Sequence, residues 1–260
     1  MNYFDVALKA AKEAGKIHKK YFQTELKIER KSSPFDLLTI ADKEAEKAIV
    51  YLIKKHFPEH NIFAEECTYE KTESKYTWVI DPLDGTNNFA SGLPIFCASI
   101  ALMHDDKVEL GVIYDVMREE LFSAQKNQGA FLNEKPIKVN SVDNLKNSLL
   151  ITGFYYSRGE EMVKTLETIK RFFLKQIMGL RRLGAAALDL CYIACGRAAG
   201  FWEFELSPWD FAAGKLLIEE AGGKVTGKQG EEVSLTEKSF IVASNGRIHE
   251  QMLEVLNEGS

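Results

Sequence analysis

The sequence predicts an α/β fold in which strands and helices are mixed within one integrated, layered domain. Three observations carry that prediction. Helical-period apolar stripes open the chain, short β-rich runs follow beyond Pro58, and after Asn140 strand-like and helix-like segments alternate. No repeat, low-complexity linker or long Pro/Gly tract interrupts them. The chain therefore reads as a single domain over residues 1–260, with a soft internal boundary near 140–148, where Asn and Ser cluster.

Each element has its own signal. Phe4, Ala7, Leu8, Ala11, Ala14, Gly15 and Ile17 form one stripe, predicting a helix from residue 3 to about 22. Ala41, Ala45, Ala48, Ile49, Leu52 and Ile53 form a second, predicting a helix over 39–57 that Pro58 stops. Between them Lys31-Ser32-Ser33-Pro34 reads as a loop and 36–40 as an extended approach to the second helix. Residues 61–64 and 76–80 are β-rich runs that end in acids. Strands recur at 97–103, 107–114 and 120–124, and a hairpin turn at 128–131 leads into another. Beyond 140 the expected order is strand 149–152, helix 159–173, strand 176–181, helix 184–194 and strand 200–205. A helix over 209–220 then ends at Gly222-Gly223, followed by strands 224–226 and 240–243 and a last helix from His249.

Composition bounds the class of function. A chain of 260 residues, 45% hydrophobic and 27% charged, has room for a substantial core and is unlike disordered, collagenous or coiled-coil sequences. The net charge of -5 argues against nucleic acid as a general partner, because coating phosphates needs clustered Lys and Arg. The N-terminus runs into an amphipathic Lys/Ala/Glu segment without a secretory core, and no stretch approaches the ~20 apolar residues that span a bilayer. A cytoplasmic protein without a membrane partner is expected. Cys67 and Cys97 are isolated; Cys191 and Cys195, one helical turn apart without nearby His, read as buried thiols rather than a metal pair. His18, His56, His60, His104 and His249 are dispersed without ligand spacing and read as surface residues. No Ser elbow, P-loop or dinucleotide Gly motif occurs.

The acids are more informative. In Trp78-Val79-Ile80-Asp81-Pro82-Leu83-Asp84-Gly85-Thr86-Asn87, an apolar strand delivers Asp81 to the point where Pro82, lacking a ladder donor, is expected to force the chain out of the sheet. Gly85 allows close backbone approach, and the Gly85 and Thr86 amides can cradle an anion. Asp81 and Asp84 can converge on a hard cation together with the Leu83 carbonyl, an oxygen-only set suited to Mg²⁺, or they can simply cap the turn. Glu65 and Glu66 follow another apolar run, as a solvated pair or as part of the same site. Asp42 and Asp210 open helices, where acids are also favoured for capping and for the helix dipole.

Taken together these motifs resemble the inositol monophosphatase family of Mg²⁺-dependent, lithium-sensitive phosphatases. The matching segments are Lys31-Ser32-Ser33 with Asp36-Leu37-Leu38-Thr39-Ile40-Ala41-Asp42, Ala64-Glu65-Glu66, residues 81–89, Trp209-Asp210-Phe211-Ala212-Ala213-Gly214, and Glu220-Ala221-Gly222-Gly223. The resemblance implies a layered αβαβα sugar-phosphatase fold and a homodimer. It implies two or three Mg²⁺ ions, with Glu65, Asp81 and the Leu83 carbonyl as ligands of one, Asp81, Asp84 and Asp210 of a second, and Glu65 serving a weaker third. Glu65, Asp42 and Thr86 are the implied catalytic group, Asp42 and Thr86 orienting the attacking water. Gly85 and Thr86 would hold phosphate, and Asp84, Ala186, Glu203 and Asp210 would contact the alcohol.

The expected reaction is hydrolysis of a small phosphate monoester, inositol 1-phosphate, by metal-activated water. Fructose 1,6-bisphosphate, alone or together with inositol phosphate in a dual phosphatase, and 3'-phosphorylated adenosine nucleotides are the alternatives in related enzymes; a second phosphate would call on Arg158, Arg181 or Arg182. A regulatory, partner-binding protein that retains the fold is the alternative of another class.

Overall fold

In the computed structural model of the chain, residues 1–24, 29–30, 37–154 and 159–258 are described. The expected loop at Lys31 to Pro34, together with Asp36 and Arg158, lies outside the described residues. The first helix, α1 (Tyr3–Tyr21), starts at Asn2, whose side chain accepts the Asp5 N–H at 2.8 Å. A two-stranded ribbon of β1 (Glu29–Arg30) and β2 (Leu37–Leu38) leads to α2 (Ile40–His56). The stripes Ala7, Ala10, Ala11, Ala14 and Ala41, Ala45, Ile49, Ile53 are fully buried, so these two helices pack closely on each other.

The strands β3 (Asn61–Ala64) and β4 (Tyr76–Asp84) come next, and β4 is followed by the short α3 (Thr86–Ala90). Five further strands, β5 (Cys97–His104), β6 (Lys107–Asp115), β7 (Glu120–Gln125), β8 (Ala130–Leu132) and β9 (Lys135–Ile137), complete a seven-stranded sheet in sequential order. Only β3 and β4 pair in parallel in it. Segment 138–148 then crosses to a second sheet. There the chain forms β10 (Leu149–Thr152), α4 (Glu160–Leu174), β11 (Gly179–Arg181), α5 (Ala186–Ala194) and β12 (Gly200–Leu206). It ends with α6 (Pro208–Glu220), β13 (Lys224–Thr226), β14 (Ser239–Ser244) and α7 (His249–Asn257). The five strands lie in the order β11-β10-β12-β14-β13, the first three parallel and β14 antiparallel to both neighbours.

The layers follow from the apolar faces. Helices α1 and α2 cover one face of the larger sheet, burying Trp78, Ile80, Ile100 and Val112. Helices α5 and α6 fill the space between the sheets, where Leu188, Leu190, Phe211, Leu217 and Phe201 form the largest core. The outer face of the smaller sheet carries α4 and α7, with Phe172 against Trp202 at 4.4 Å between ring centroids. This is the αβαβα order that the resemblance implied. Among the described residues no helix is long and apolar enough to cross a membrane.

The structure departs from the sequence reading at several points. Pro82 does not end its strand. Asp81 pairs with Ser99 and Asp84 with Cys97, so β4 continues across a bulge that absorbs Pro82 and Leu83. The strand expected at 176–181 is shortened to 179–181 because Gln176 adopts φ 61° in a turn. The helix expected from 184 starts at Ala186. Strand β9 carried too short a pattern to be anticipated. Three of the five histidines are buried rather than superficial: His60 accepts the Trp78 indole N–H at 3.1 Å, and His249 bridges Thr226 and Ser244 at 2.9 Å each. His18 faces the Pro82 carbonyl at 2.8 Å. Burial drives the His18 and His249 rings down to about 4, so both are neutral at physiological pH.

Candidate active site

The acids gather where strand ends meet helix starts. Parallel pairing of β3 with β4 sets Ala64 opposite Ile80, and the Glu65 N–H donates to the Ile80 carbonyl at 3.2 Å, so Glu65 lies beside Asp81. Within the bulge Asp81 Oδ1 accepts the Leu83 N–H at 2.9 Å. Ser99, the strand partner of Asp81, donates its hydroxyl to the Trp209 carbonyl at 3.2 Å, tying the start of α6 and hence Asp210 to the same corner.

Asp42 and Asp210 occupy equivalent positions, each the third residue of its helix. Asp42 Oδ2 accepts from the Thr39 N–H at 2.8 Å and the Thr39 hydroxyl at 2.6 Å; Asp210 Oδ2 accepts from the Ser207 N–H at 2.8 Å. The capping role that the sequence left open is therefore real, and it is compatible with a site, because each cap uses one oxygen of the carboxylate. On the other side of Asp42, Oδ1 lies 2.9 Å from the Thr86 hydroxyl, whose oxygen is also 3.0 Å from the Leu83 carbonyl oxygen.

Gly85 has φ 94°, and a Cβ there would lie 2.8 Å from the Ile95 carbonyl oxygen, so glycine alone permits this turn. It delivers Thr86 to the start of α3, where the first N–H groups of a helix lack intrahelical acceptors. Ala186 begins α5, and the next N–H, that of Ala187, donates to Asp84 Oδ2 at 2.7 Å, with the Cys97 thiol on the same oxygen at 3.8 Å. Glu203, on β12 in the second sheet, is 9% exposed, and its carboxylate lies over Gly153, filling the space a Cβ would need.

The electrostatics of the cluster are those of buried like charges. Asp81 is raised well above the usual range by burial and then by Glu65, Asp84 and Asp210, with Glu65 in hydrogen-bond contact. Burial lifts Asp84 to about 7, against the opposing Ala187 N–H. Asp210 is raised by burial, then by Glu65 and Asp84. Asp42 is raised by burial, which the Thr39 bonds oppose. Glu203 is pushed to about 7 by burial, with the Arg182 cation pulling the other way. The charges acting most strongly on Asp81, Asp84 and Asp210 are other carboxylates. Buried carboxylates without a cation are costly.

A hard divalent cation fits this donor set, since Glu65, Asp81, Asp84, Asp210 and the Leu83 carbonyl present only oxygen. Among the described residues no group of three or more His, Cys, Asp or Glu side chains is placed to hold a metal ion. The fit rests on donor chemistry and on the crowding of Asp81, Asp84 and Asp210 by other carboxylates.

Five groups near the site were not anticipated. Thr39, the Ala187 N–H and the Cys97 thiol hold site carboxylates, and His18 holds the bulge. Asp189 on α5 is buried, with Oδ1 unpartnered among the described residues; burial raises it, Asp84 and Glu203 add to this, and Arg182 opposes them. Arg181 and Arg182 are exposed, and of these two Arg182 acts on Glu203. Of the cysteines, Cys97 and Cys191 are buried free thiols, Cys195 is half-buried and Cys67 exposed.

Comparison with known proteins adds an independent line. A sequence model described as the inositol monophosphatase family matches residues 2–260. The chain is 42% identical over 233 residues to an inositol-1-monophosphatase of Synechocystis, covering 88% of this chain and 79% of the relative. It is 40% identical over 252 residues to the Nus factor SuhB of Escherichia coli, covering 96% and 93%. Among solved structures, an IMPase from Thermotoga maritima superposes with a TM-score of 0.90 at 36% identity, over 99% of this chain and 98% of that one. An IMPase/NADP phosphatase solved with Mg²⁺ and phosphate superposes at 0.85 with 26% identity, over 96% and 92%.

Proposed function

The chain belongs to the inositol monophosphatase family of phosphatases, and on that premise we propose that it hydrolyses inositol 1-phosphate to inositol and phosphate with Mg²⁺ as cofactor. The observation that carries this reading is the gathering of Glu65, Asp81, Asp84 and Asp210, the three aspartates raised by burial and by neighbouring carboxylates, beside the Asp42–Thr86 hydrogen bond. The relative solved with Mg²⁺ and phosphate supports it.

In this proposal Glu65, Asp81, Asp84, Asp210 and the Leu83 carbonyl hold two or three Mg²⁺ ions. Bound divalent cations supply an acidified water and neutralise phosphate charge. The protein's own groups supply orientation. Thr86, donating its proton to Asp42, presents a lone pair that aligns the attacking water, and Thr39 keeps Asp42 in place for this. The Gly85 and Thr86 amides bind phosphate oxygens. Glu203 and Asp210, with Asp84 and the Ala186 backbone, accept hydroxyls of the polyol.

The same premise makes the enzyme a lithium-sensitive homodimer, and the exposed Val163, Leu166, Phe173, Leu174 and Met178 around α4 and β11 offer a face for it. Residues 1–260 form one folding unit in this reading, because α5 and α6 are shared by both sheets. Phosphate release from inositol 1-phosphate, fructose 1,6-bisphosphate and a 3'-phosphorylated adenosine nucleotide tests the substrate. The proposal requires inositol 1-phosphate to have the highest kcat/KM; preference for the bisphosphate would move the assignment to the fructose branch. Similarity to the Nus factor SuhB favours a second, regulatory reading. No Mg²⁺-stimulated release from any of the three substrates, with reproducible protein or RNA capture, would support that reading instead.

A further inference from the structure

We propose that His18, outside every motif discussed above, is a positioning residue for the metal site, acting through a single peptide group of the β4 bulge. The inference rests on the Mg²⁺ reading of that site. His18 is fully buried on α1, and its ring meets Phe89 and Phe96 edge-on at centroid distances of 6.2 and 5.8 Å. Its Nε2 lies 2.8 Å from the Pro82 carbonyl oxygen, while Nδ1 has no partner among the described residues. A carbonyl can only accept, so Nε2 carries the proton of the neutral ring and Nδ1 is bare.

The acceptor is what gives the contact its meaning. The Pro82 carbonyl belongs to the same peptide group as the Leu83 N–H, and that N–H donates to Asp81 Oδ1 at 2.9 Å. One rigid amide plane is therefore gripped at both ends, by an imidazole on one side and a site carboxylate on the other. Accepting from His18 polarises the amide and strengthens its donation to Asp81. Two consequences follow. Asp81 Oδ1 is held in place, which orients its second oxygen. The plane also fixes the Leu83 N–Cα bond, and with the Leu83 side chain packed on Ala41, Phe89 and Phe96 it limits the rotations that aim the Leu83 carbonyl. In a bulge the ladder does not enforce these orientations, and Pro82 has no N–H to help. A residue some 60 positions away supplies the constraint.

The test compares wild type with His18→Phe, which keeps an aromatic ring but has no donor, and His18→Gln, whose Nε2 can replace the donor. Mg²⁺ affinity of chelator-treated protein is read by calorimetry, Leu83 amide exchange in the metal-free protein by NMR, and stability by urea unfolding. Expected are about a 10-fold weaker Mg²⁺ Kd and faster Leu83 exchange in His18→Phe, with both largely restored in His18→Gln. A change in urea midpoint with wild-type Kd and wild-type Leu83 exchange would overturn the proposal, as would failure of Gln to restore either. Should His18→Phe not fold, the tautomer decides: ¹⁵N shifts must place the His18 proton on Nε2, and a proton on Nδ1 refutes the assignment. Loss of Mg²⁺ binding in wild type itself would instead refute the metal reading on which this inference stands.

Discussion

Glu203 offers the sharpest thermodynamic test of the site, because its position is costly to the fold. Its carboxyl is buried and pushed from 4.5 to about 7 mainly by desolvation. Above that value the folded protein holds a buried carboxylate that the unfolded chain would hydrate. Below 4.5 both states are protonated and the penalty vanishes, so this group's burden on stability grows as pH rises from 4.5 through 7. At about 1.4 kcal/mol per pH unit, the displacement amounts to about 3 kcal/mol at pH 8.5. Glu203→Gln removes the charge with little change of shape. Metal-free Glu203→Gln is therefore expected to unfold about 1 M higher in urea than wild type at pH 8.5, taking an m-value of about 3 kcal/mol/M. At pH 5 the gap shrinks to under about 1 kcal/mol. The same variant should lose about 10-fold or more in kcat/KM for inositol 1-phosphate, a stability gained at the expense of substrate binding. Equal midpoints at pH 8.5, or a gap that persists undiminished at pH 5, would refute the reasoning, since neither can come from a buried charge.

Three further outcomes follow. Asp81→Asn should lower Mg²⁺-dependent phosphate release by at least ~100-fold while leaving the metal-free protein no less stable, because it relieves buried repulsion; activity assays and urea melts read both. Thr86→Ala should cost about 100-fold in kcat, and Thr86→Ser, which keeps the hydroxyl facing Asp42, should stay within about 10-fold of wild type in steady-state kinetics. Gly85→Ala should destabilise the protein by about 1–3 kcal/mol in urea unfolding, because φ 94° and the Ile95 carbonyl both oppose a side chain.

What was legible in the sequence was legible for local reasons. The stripes of α1 and α2, the β-rich runs and the strand-end acids are short-range patterns, and they survive folding unchanged. Asp42 and Asp210 show why the sequence alone left two uses open: as third residues of capped helices each satisfies a local rule with one oxygen, and Asp42 meets Thr86 with the other. The rest depended on distant partners. Pro82 looked like a strand terminator because a lost ladder donor is a local argument; pairing of Asp84 with Cys97 on β5 restores the strand beyond it. His18 looked superficial among lysines, yet its face of α1 meets Phe89 and Phe96 from a segment some 70 residues later. Asp189 carries no motif, and its proximity to Asp84 and Glu203 arises only when α5 is inserted between the two sheets.

The central claim is that buried acids at the corner of β3, β4 and α6 are assembled for a divalent cation and that this cation enables phosphate release. Its most direct test is a Mg²⁺ titration of chelator-treated protein with inositol 1-phosphate, following phosphate production. The account predicts no release above background without added cation and a saturable rise as Mg²⁺ is restored. Undiminished release in excess chelator would contradict it.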